Sequence, residues 1–373
     1  MSSGEPAVLN GAMMALRVFD VAYSIDLARA EALWAQHTRK ASSRGRLNTA
    51  PSKAIAFDVP PVIVALDSCT IALPAGEMTA TLTARLYDFG VVALSARVAI
   101  ENWSWQRYVD GFNALDLAVG ARADTAFWAG LLDRLAPLRP ALTRPNDATL
   151  QEDYLIALVQ RWSEPMTAAD IERRVDLVPL LSGEARPLSA SARHELLRQR
   201  HSYYDDDLVV LTWDRAFLYE PRGESDVADV IEVANAQLVE LRYYDELLDD
   251  ELPKMYHLVE AARGGRSRFA SPRHYSRLAH RFYSLVAEVT ELTEKVDNAL
   301  QVTEDVYLAR VYSAALDLFR VPTVGAAVDR KLAIIRDTYR ALYDEASGAR
   351  GAMMELAIVV LILFEIVLAL LGG

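Results

Sequence analysis

The chain has a single cysteine, Cys69, in 373 residues. One thiol excludes a disulfide framework within one copy and fits a reducing compartment. Cys69 follows the apolar run Val62-Ile63-Val64-Ala65-Leu66 and reads as a small buried hydrophobe. Positive charge is also in short supply: 39 Lys and Arg face 51 Asp and Glu, a net charge of −12. DNA is therefore not an expected partner, and contact with phosphate has to come from a local patch. The N-terminus, Met1-Ser2-Ser3-Gly4-Glu5-Pro6, has neither a charged nor an apolar leader segment, so no secretory signal is read there.

Catalytic signatures are missing as well. There is no Walker A loop and no GxGxxG, GxSxG, HExxH or paired CxxC pattern, and the six histidines lack metal-ligand spacing. Asp88-Phe89-Gly90 matches a kinase tripeptide, but without a Gly-rich loop or an HRD-like loop it reads as a strand turn. Asp205-Asp206-Asp207 and Asp249-Asp250-Glu251 lack EF-hand spacing and read as solvated. No catalytic residue, metal or cofactor is expected, and the chain is read as a non-enzyme.

What is present is an α+β pattern. Ala15 to Val21 and Ala54 to Leu66 are strand-like, with a helical stretch near Leu27–Gln36 between them. Met78 to Leu86 alternates strictly, with Met78, Ala80, Leu82, Ala84 and Leu86 on one face and Thr79, Thr81, Thr83 and Arg85 on the other, the period of a half-buried strand. Val91 to Ile100 resumes the β pattern, and helices are expected at Ser104–Val119 and Ala126–Leu135. Pro137, Pro140 and Pro145 mark a boundary, after which Tyr154–Val159 and Leu208–Tyr219 supply further strands, the latter turning near Asp214.

From Ser225 the period becomes helical. Ile231, Ala234, Leu238, Leu241, Leu248, Leu252, Met255 and Val259 fall on heptad a/d positions, with Asp245 the polar intruder. A second run passes through Leu278, Phe282, Leu285, Val289, Leu292, Val296, Ala299, Thr303 and Val306, and a third through Val328, Leu332, Ile335, Tyr339, Leu342, Ala346 and Ala349. Such runs indicate coiled-coil-like packing, within or between chains. The expected architecture is an N-terminal mixed sheet-and-helix domain over 1–136, its continuation or second part over 137–220, a helical coiled-coil hairpin over 221–350, and a transmembrane anchor over 351–373.

The anchor reads MMELAIVVLILFEIVLALL from Met353 to Leu371. A helix needs about 20 apolar residues to cross a bilayer. The aliphatic and aromatic side chains here contribute roughly −6 kcal/mol on insertion scales, against about +2.5 to +3.5 for a central acid. Arg336, Arg340 and Arg350 precede the span, and only glycines follow it, which orients the body to the cytoplasm, or the matrix in an organelle. The rival reading is a buried helix at the centre of an oligomer. Glu355 and Glu365 lie within about 80° of each other on this helix. They are candidates for an intramembrane helix contact, the alternative being a Glu365 that snorkels at the interface. The Arg- and Ala-rich, Lys-poor usage points to a bacterial source and hence to its inner membrane.

One charged cluster stands apart. Arg263, Arg266, Arg268, Arg273, Arg277 and Arg281, with His274 and His280, occupy a stretch without acids between Glu260 and Glu288. If 273–319 and 326–352 form an antiparallel hairpin, this stretch falls near headgroup level, where each Arg contributes about 1 kcal/mol toward anionic lipid. Anionic lipid, RNA phosphate and a plain solvated helix start remain open as its role.

The C-terminal third resembles a known family. Glu294-Lys295-Val296-Asp297-Asn298-Ala299-Leu300, running on through Glu304-Asp305-Val306-Tyr307 to Arg310-Val311-Tyr312, is one motif. Lys331-Leu332 with Ile335, Tyr339 and Leu342 is a second, and Arg350 with Met354-Glu355, Ile358-Val359, Leu361-Ile362 and Glu365-Ile366 is a third. Upstream, Leu86-Tyr87-Asp88-Phe89-Gly90-Val91-Val92 is similar to a Gly-Val-Val signature. These resemble the family named for proteins required for meiotic nuclear division, a domain of unknown function. The chain departs from it in lacking a tryptophan near 323–326. The resemblance implies a C-terminally anchored, self-associating, non-enzymatic membrane protein, and a ribosome or translation-related partner by that resemblance alone. The expected function is a membrane-tethered, homo-oligomeric scaffold or adaptor. The alternatives are an enzyme with a pocket in residues 1–220 and a transport accessory using Glu365.

Overall fold

Ala7–Asp20 is a 14-residue strand, β1, whose near-continuous apolar run fits a central position between two neighbours. The computed structural model describes residues 6–38, 42–44, 55–121, 126–147, 150–222, 226–264, 272–297, 300–302 and 306–371. After β1 come β2 (Ala22–Ile25), α1 (Leu27–Thr38), β3 (Ser42–Arg44), β4 (Ile55–Phe57), β5 (Val62–Ala65), β6 (Cys69–Leu73), β7 (Gly76–Leu86) and β8 (Val91–Ser104). Helices α2 (Trp105–Val119) and α3 (Ala126–Asp133) lead through a 3-10 turn to β9 (Leu142–Pro145) and β10 (Gln151–Trp162). Three short helices follow, α4 (Ala168–Arg174), α5 (Val178–Ser182) and α6 (Ala190–Leu196), then β11 (Gln199–His201), β12 (Leu208–Leu211) and β13 (Arg215–Tyr219). The rest is α7 (Asp226–Gly264), α8 (Pro272–Asp297), β14 (Leu300–Val302), α9 (Val306–Leu318) and α10 (Val321–Leu371).

The protein is α+β: a mixed sheet domain followed by helices. Its main sheet has ten strands in the order β11-β12-β13-β10-β1-β8-β7-β5-β3, with β6 also paired to β7. The pairings are antiparallel except β10 with β13, which is parallel. That exception follows from the connection between β10 and β12, long enough to carry α4 to α6 across before the chain returns. β7 buries Ala80, Leu82, Ala84 and Leu86, as its alternation predicts, with Met78 half-buried. The core under α2 is aromatic: Trp105 lies 5.6 Å from Trp162, 5.7 Å from Tyr108 and 6.0 Å from Phe217, ring to ring.

Two compact units divide the chain, Met1–Tyr243 with Lys295–Pro322, and Tyr244–Glu294 with Thr323–Gly373. Of the two options for 137–220, its being a continuation of the first domain agrees with this division; the boundary and the hairpin differ from it. Pro137 to Asn146 is not a boundary, because β9 pairs β2 there and β10 continues the same sheet. The helical hairpin does not stand alone over 221–350, because the first half of α7 and residues 295–322 belong to the sheet unit.

The second heptad run is also interrupted. Instead of one helix over 273–319, α8 ends at Asp297 and Leu300–Val302 pairs with Ile55–Phe57. The backbone partners offered by β4 outweigh the helical periodicity, and Val302 is a β-former. In the second unit the described buried side chains include heptad ones, Leu248 and Met255 of α7, Phe282 and Val289 of α8, and Val328, Leu332 and Ile335 of α10, together with Tyr244. The polar intruder Asp245 is matched: Lys331 donates to its carboxylate at 2.6 Å and reaches Asp249 at 2.7 Å.

Among the described residues no single helix is long and apolar enough to cross a membrane. Val306–Leu318 and Val321–Ala341 meet that length and composition only as a pair. Met353 to Leu371 lies within α10, most of its side chains outside the described residues.

Candidate functional site

The residues that converge in the sheet unit are not the ones the sequence put forward. In β1, Ala15-Leu16-Arg17-Val18-Phe19-Asp20 carries two charges in an apolar run, and both are buried. The antiparallel register sets Arg17 opposite Asp153 of β10, and the parallel register sets Arg215 opposite Leu155, two residues further along. One end of β1, β10 and β13 therefore collects two guanidinium groups and a carboxylate. Helix α2 brings Asn113 and Asp116 to the same place.

Arg215 is the hub, its side chain 5% exposed. Its Nη2 donates to Asp116 at 2.5 Å, and its Nη1 donates to the Asn113 side-chain oxygen at 2.6 Å and to the Leu180 carbonyl at 2.8 Å. The Nε has no hydrogen-bond acceptor and stands 4.0 Å from Asp214. Gly183 ends α5 at φ +63°, and a Cβ there would lie 2.4 Å from the Arg215 guanidinium, so glycine answers both to the left-handed turn and to the close approach. Arg17 donates to the Gly120 carbonyl at 2.8 Å and faces Asp153 at 4.0 Å. Burial lowers its pKa, against the pull of Asp153 and Asp116. Burial raises Asp153 and Asp214 above the usual carboxylate range despite their arginine neighbours.

Arg215, Asp116, Asn113, Asp153, Asp214 and Gly183 line a cavity of about 340 Å³, within the range of small-molecule sites at its lower end, roughly 300–1,000 Å³. Leu117 and Trp213, 70% and 67% exposed, stand at its rim, and Asn235, Leu238 and Phe319 are buried at its back. Ser182 lines it too, but its hydroxyl donates to the Val178 carbonyl at 2.8 Å, and neither histidine nor cysteine is in the lining. The arrangement can hold a polar ligand; it does not present an activated nucleophile.

A second buried network joins β7 to α7. Arg85 reaches Asp229 at 2.7 Å and Glu232 at 3.4 Å, and Tyr87 donates to Glu232 at 2.9 Å. Burial opposes the charge on Arg85, but Glu232, Tyr87 and Asp229 hold its pKa well above the usual value.

The sequence candidates fall elsewhere. Asp88-Phe89-Gly90 is the turn between β7 and β8, as read. Phe89 stacks on Tyr87 at 5.2 Å, and Gly90 has φ +96° with the Ala22 carbonyl filling the space of a Cβ. Cys69 is half-buried rather than buried, and burial raises its thiol pKa, which keeps it unreactive. Of the basic cluster, Arg281 is exposed and reaches Glu251 at 3.2 Å, while Arg266 and Arg268, and the side chains of Arg263, Arg273 and Arg277, lie outside the described residues. Asn298 and Asp305 lie outside them too, as do the side chains of Arg350 and Glu365. Glu355 is exposed. Tyr307 packs 5.5 Å from Tyr203. Among the described residues no group of three His, Cys, Asp or Glu side chains is placed to hold a metal ion.

Fold and site together define an α+β protein with a wide mixed sheet and a polar cavity at one end of its central strands. A family model described as "Uncharacterized protein MJ0711, N-terminal domain" matches residues 10–226, and the chain belongs to that family. Uncharacterized protein MJ0711 of Methanocaldococcus jannaschii is 24% identical over 230 residues, 61% of this chain and 69% of that protein. That relative is archaeal, whereas residue usage had pointed to a bacterial source. No solved structure matches the chain.

Proposed function

We propose that the chain is a membrane-tethered, self-associating adaptor, with its sheet unit on the cytoplasmic side and residues 353–371 as the tether. One observation carries this reading. Ile358, Val359, Val360, Leu361 and Ile362 are consecutive in α10 and all 50–64% exposed. Five consecutive helical residues at 100° each point in every direction around the axis. Among the described residues no face of this segment is covered, and water is a poor solvent for such a band, so lipid or other copies have to cover it. The heptad burial in the second unit supports coiled-coil-like packing of α7, α8 and α10. The resemblance of residues beyond 290 to the family required for meiotic nuclear division agrees with an anchored adaptor, and the basic cluster at 263–281 then meets anionic lipid.

The test is the detergent-solubilised mass and crosslinking of the full chain beside a form ending at Gly348. The full chain is expected in the membrane fraction as an oligomer, and the shortened form in the supernatant. A full chain that is monomeric after extraction overturns self-association. A second reading, in which the sheet unit acts on a small molecule, has the Arg215 cavity in its favour.

A further inference from the structure

Asp214 and Arg215 line the same cavity but do not bond to each other. The Arg215 Nε, in a side chain 5% exposed, has no acceptor, and the Asp214 Oδ2 stands 4.0 Å from it. The other carboxylate oxygen, Oδ1, already has the Thr212 hydroxyl at 3.3 Å. The gap between Nε and Oδ2 is too long for a hydrogen bond, yet one hydroxyl oxygen spans it. Accepting from Nε at about 2.9 Å and donating to Oδ2 at about 2.7 Å, it closes the triangle at an angle of about 90°. A hydroxyl both accepts and donates at one oxygen, whereas an ammonium group only donates and an ionised carboxylate only accepts.

Charge points the same way. Asp116 has Arg215, Glu152 has Arg242, and Asp153 faces Arg17. A ligand cation would compete with those arginines, and an anion would meet the carboxylates of Asp116, Glu152, Asp153, Glu184 and Asp214. A neutral ligand avoids both costs, and a paired carboxylate keeps lone pairs for hydroxyl donors. These carboxylates come from α2, β10, the end of α5 and the turn before β13, so they suit hydroxyls set around a ring. A nucleobase presents its polar groups in one plane. At the rim Trp213 is 67% exposed, while Trp34, Trp103, Trp105, Trp128 and Trp162 are buried. Its indole offers a flat apolar surface for the C–H face of a pyranose. A volume of about 340 Å³ favours a single sugar over an oligosaccharide.

We propose that this cavity binds a neutral monosaccharide, with one hydroxyl bridging the Arg215 Nε and Asp214 and the ring face on Trp213. This gives the small-molecule reading of the sheet unit a ligand class and does not depend on the membrane reading. The test uses the full chain in a detergent without a sugar headgroup, with D-glucose, D-galactose, D-mannose and D-ribose as probes, read by calorimetry and tryptophan emission. Saturable binding of at least one sugar is expected, with a blue shift from Trp213 and an affinity unchanged between low and high salt. Asp214→Ala and Trp213→Ala should each weaken binding at least about tenfold, and Trp213→Phe, which keeps an aromatic face, by less. Because Trp213 is exposed, its variants should melt with the wild type, so their loss of affinity is not a loss of fold. Binding of none of the four sugars, affinity that falls with salt, full affinity in Trp213→Ala, or tighter binding of adenosine at the same site each overturns the proposal.

Discussion

In an Arg85→Met variant, denaturant titration is expected to show a loss of about 3–5 kcal/mol, the cost of stranding a buried charge. The reason is the position of Glu232. It is 7% exposed, it accepts from Tyr87, and Arg85 is the cation beside it. Burial raises the Glu232 pKa and Arg85 lowers it, so removing Arg85 leaves the carboxyl to protonate or unfold. Adding Glu232→Gln should recover more than half of the loss, since the amide keeps an acceptor for Tyr87 and needs no counter-charge. Additive losses in the double variant would mean that the pair is not what ties α7 to β7.

The second large effect is a pH dependence at Asp20. Its side chain is buried, one oxygen accepts from Asn146 at 2.7 Å, and the other has no partner. Burial pushes its pKa from 3.8 up to about 7, against the hydrogen bonds from Asn146 and the Ala22 backbone. The folded state therefore keeps a proton that the unfolded chain releases near pH 4. Stability from this group is whole below that pH and falls as pH rises toward 7, by about 1.4 kcal/mol per pH unit, for a total of roughly 4 kcal/mol. Asp20→Asn carries no such charge, so the difference in stability between variant and wild type should grow from pH 4 to pH 7 and then level off. Parallel stability curves across that range would contradict the assignment.

Both residues show where sequence reading stops. The alternation of Met78 to Leu86 places Arg85 on the threonine face, and that face is exposed at Thr79 and Thr81. It closes at Arg85 because α7, far along the chain, lays Asp229 and Glu232 over it. No local pattern encodes that cover. Arg17 and Asp20 left a fainter trace, as charges inside an otherwise apolar run, which is how buried polar groups look in sequence. The meeting of Arg17 with Asp153, and the arrival of Arg215 at the same strand end, depend on register across three strands, which periodicity does not supply. The turn near Asp214 was legible, but the parallel pairing that brings it to the cavity was not.

Heptad spacing served well where helices pack on one another and failed where a strand competed. Leu248, Met255, Phe282, Val289, Val328, Leu332 and Ile335 are buried as their spacing requires. At Leu300–Val302 the same phase continues in the sequence, yet the backbone leaves the helix to pair with β4. Asp245, the one polar residue on the first seam, is the partner of Lys331 on α10. A mismatch in the pattern thus marked a specific ion pair.

Whether α10 ends in a membrane, as proposed, is decided by flotation of the full chain with vesicles containing anionic lipid. The full chain is expected to float with the vesicles and to stay with them in high salt and at alkaline pH, while the form ending at Gly348, held by its basic cluster alone, is released in high salt. A full chain that stays soluble and unbound without detergent would contradict it, and would leave Ile358–Ile362 to be covered by other copies of the chain.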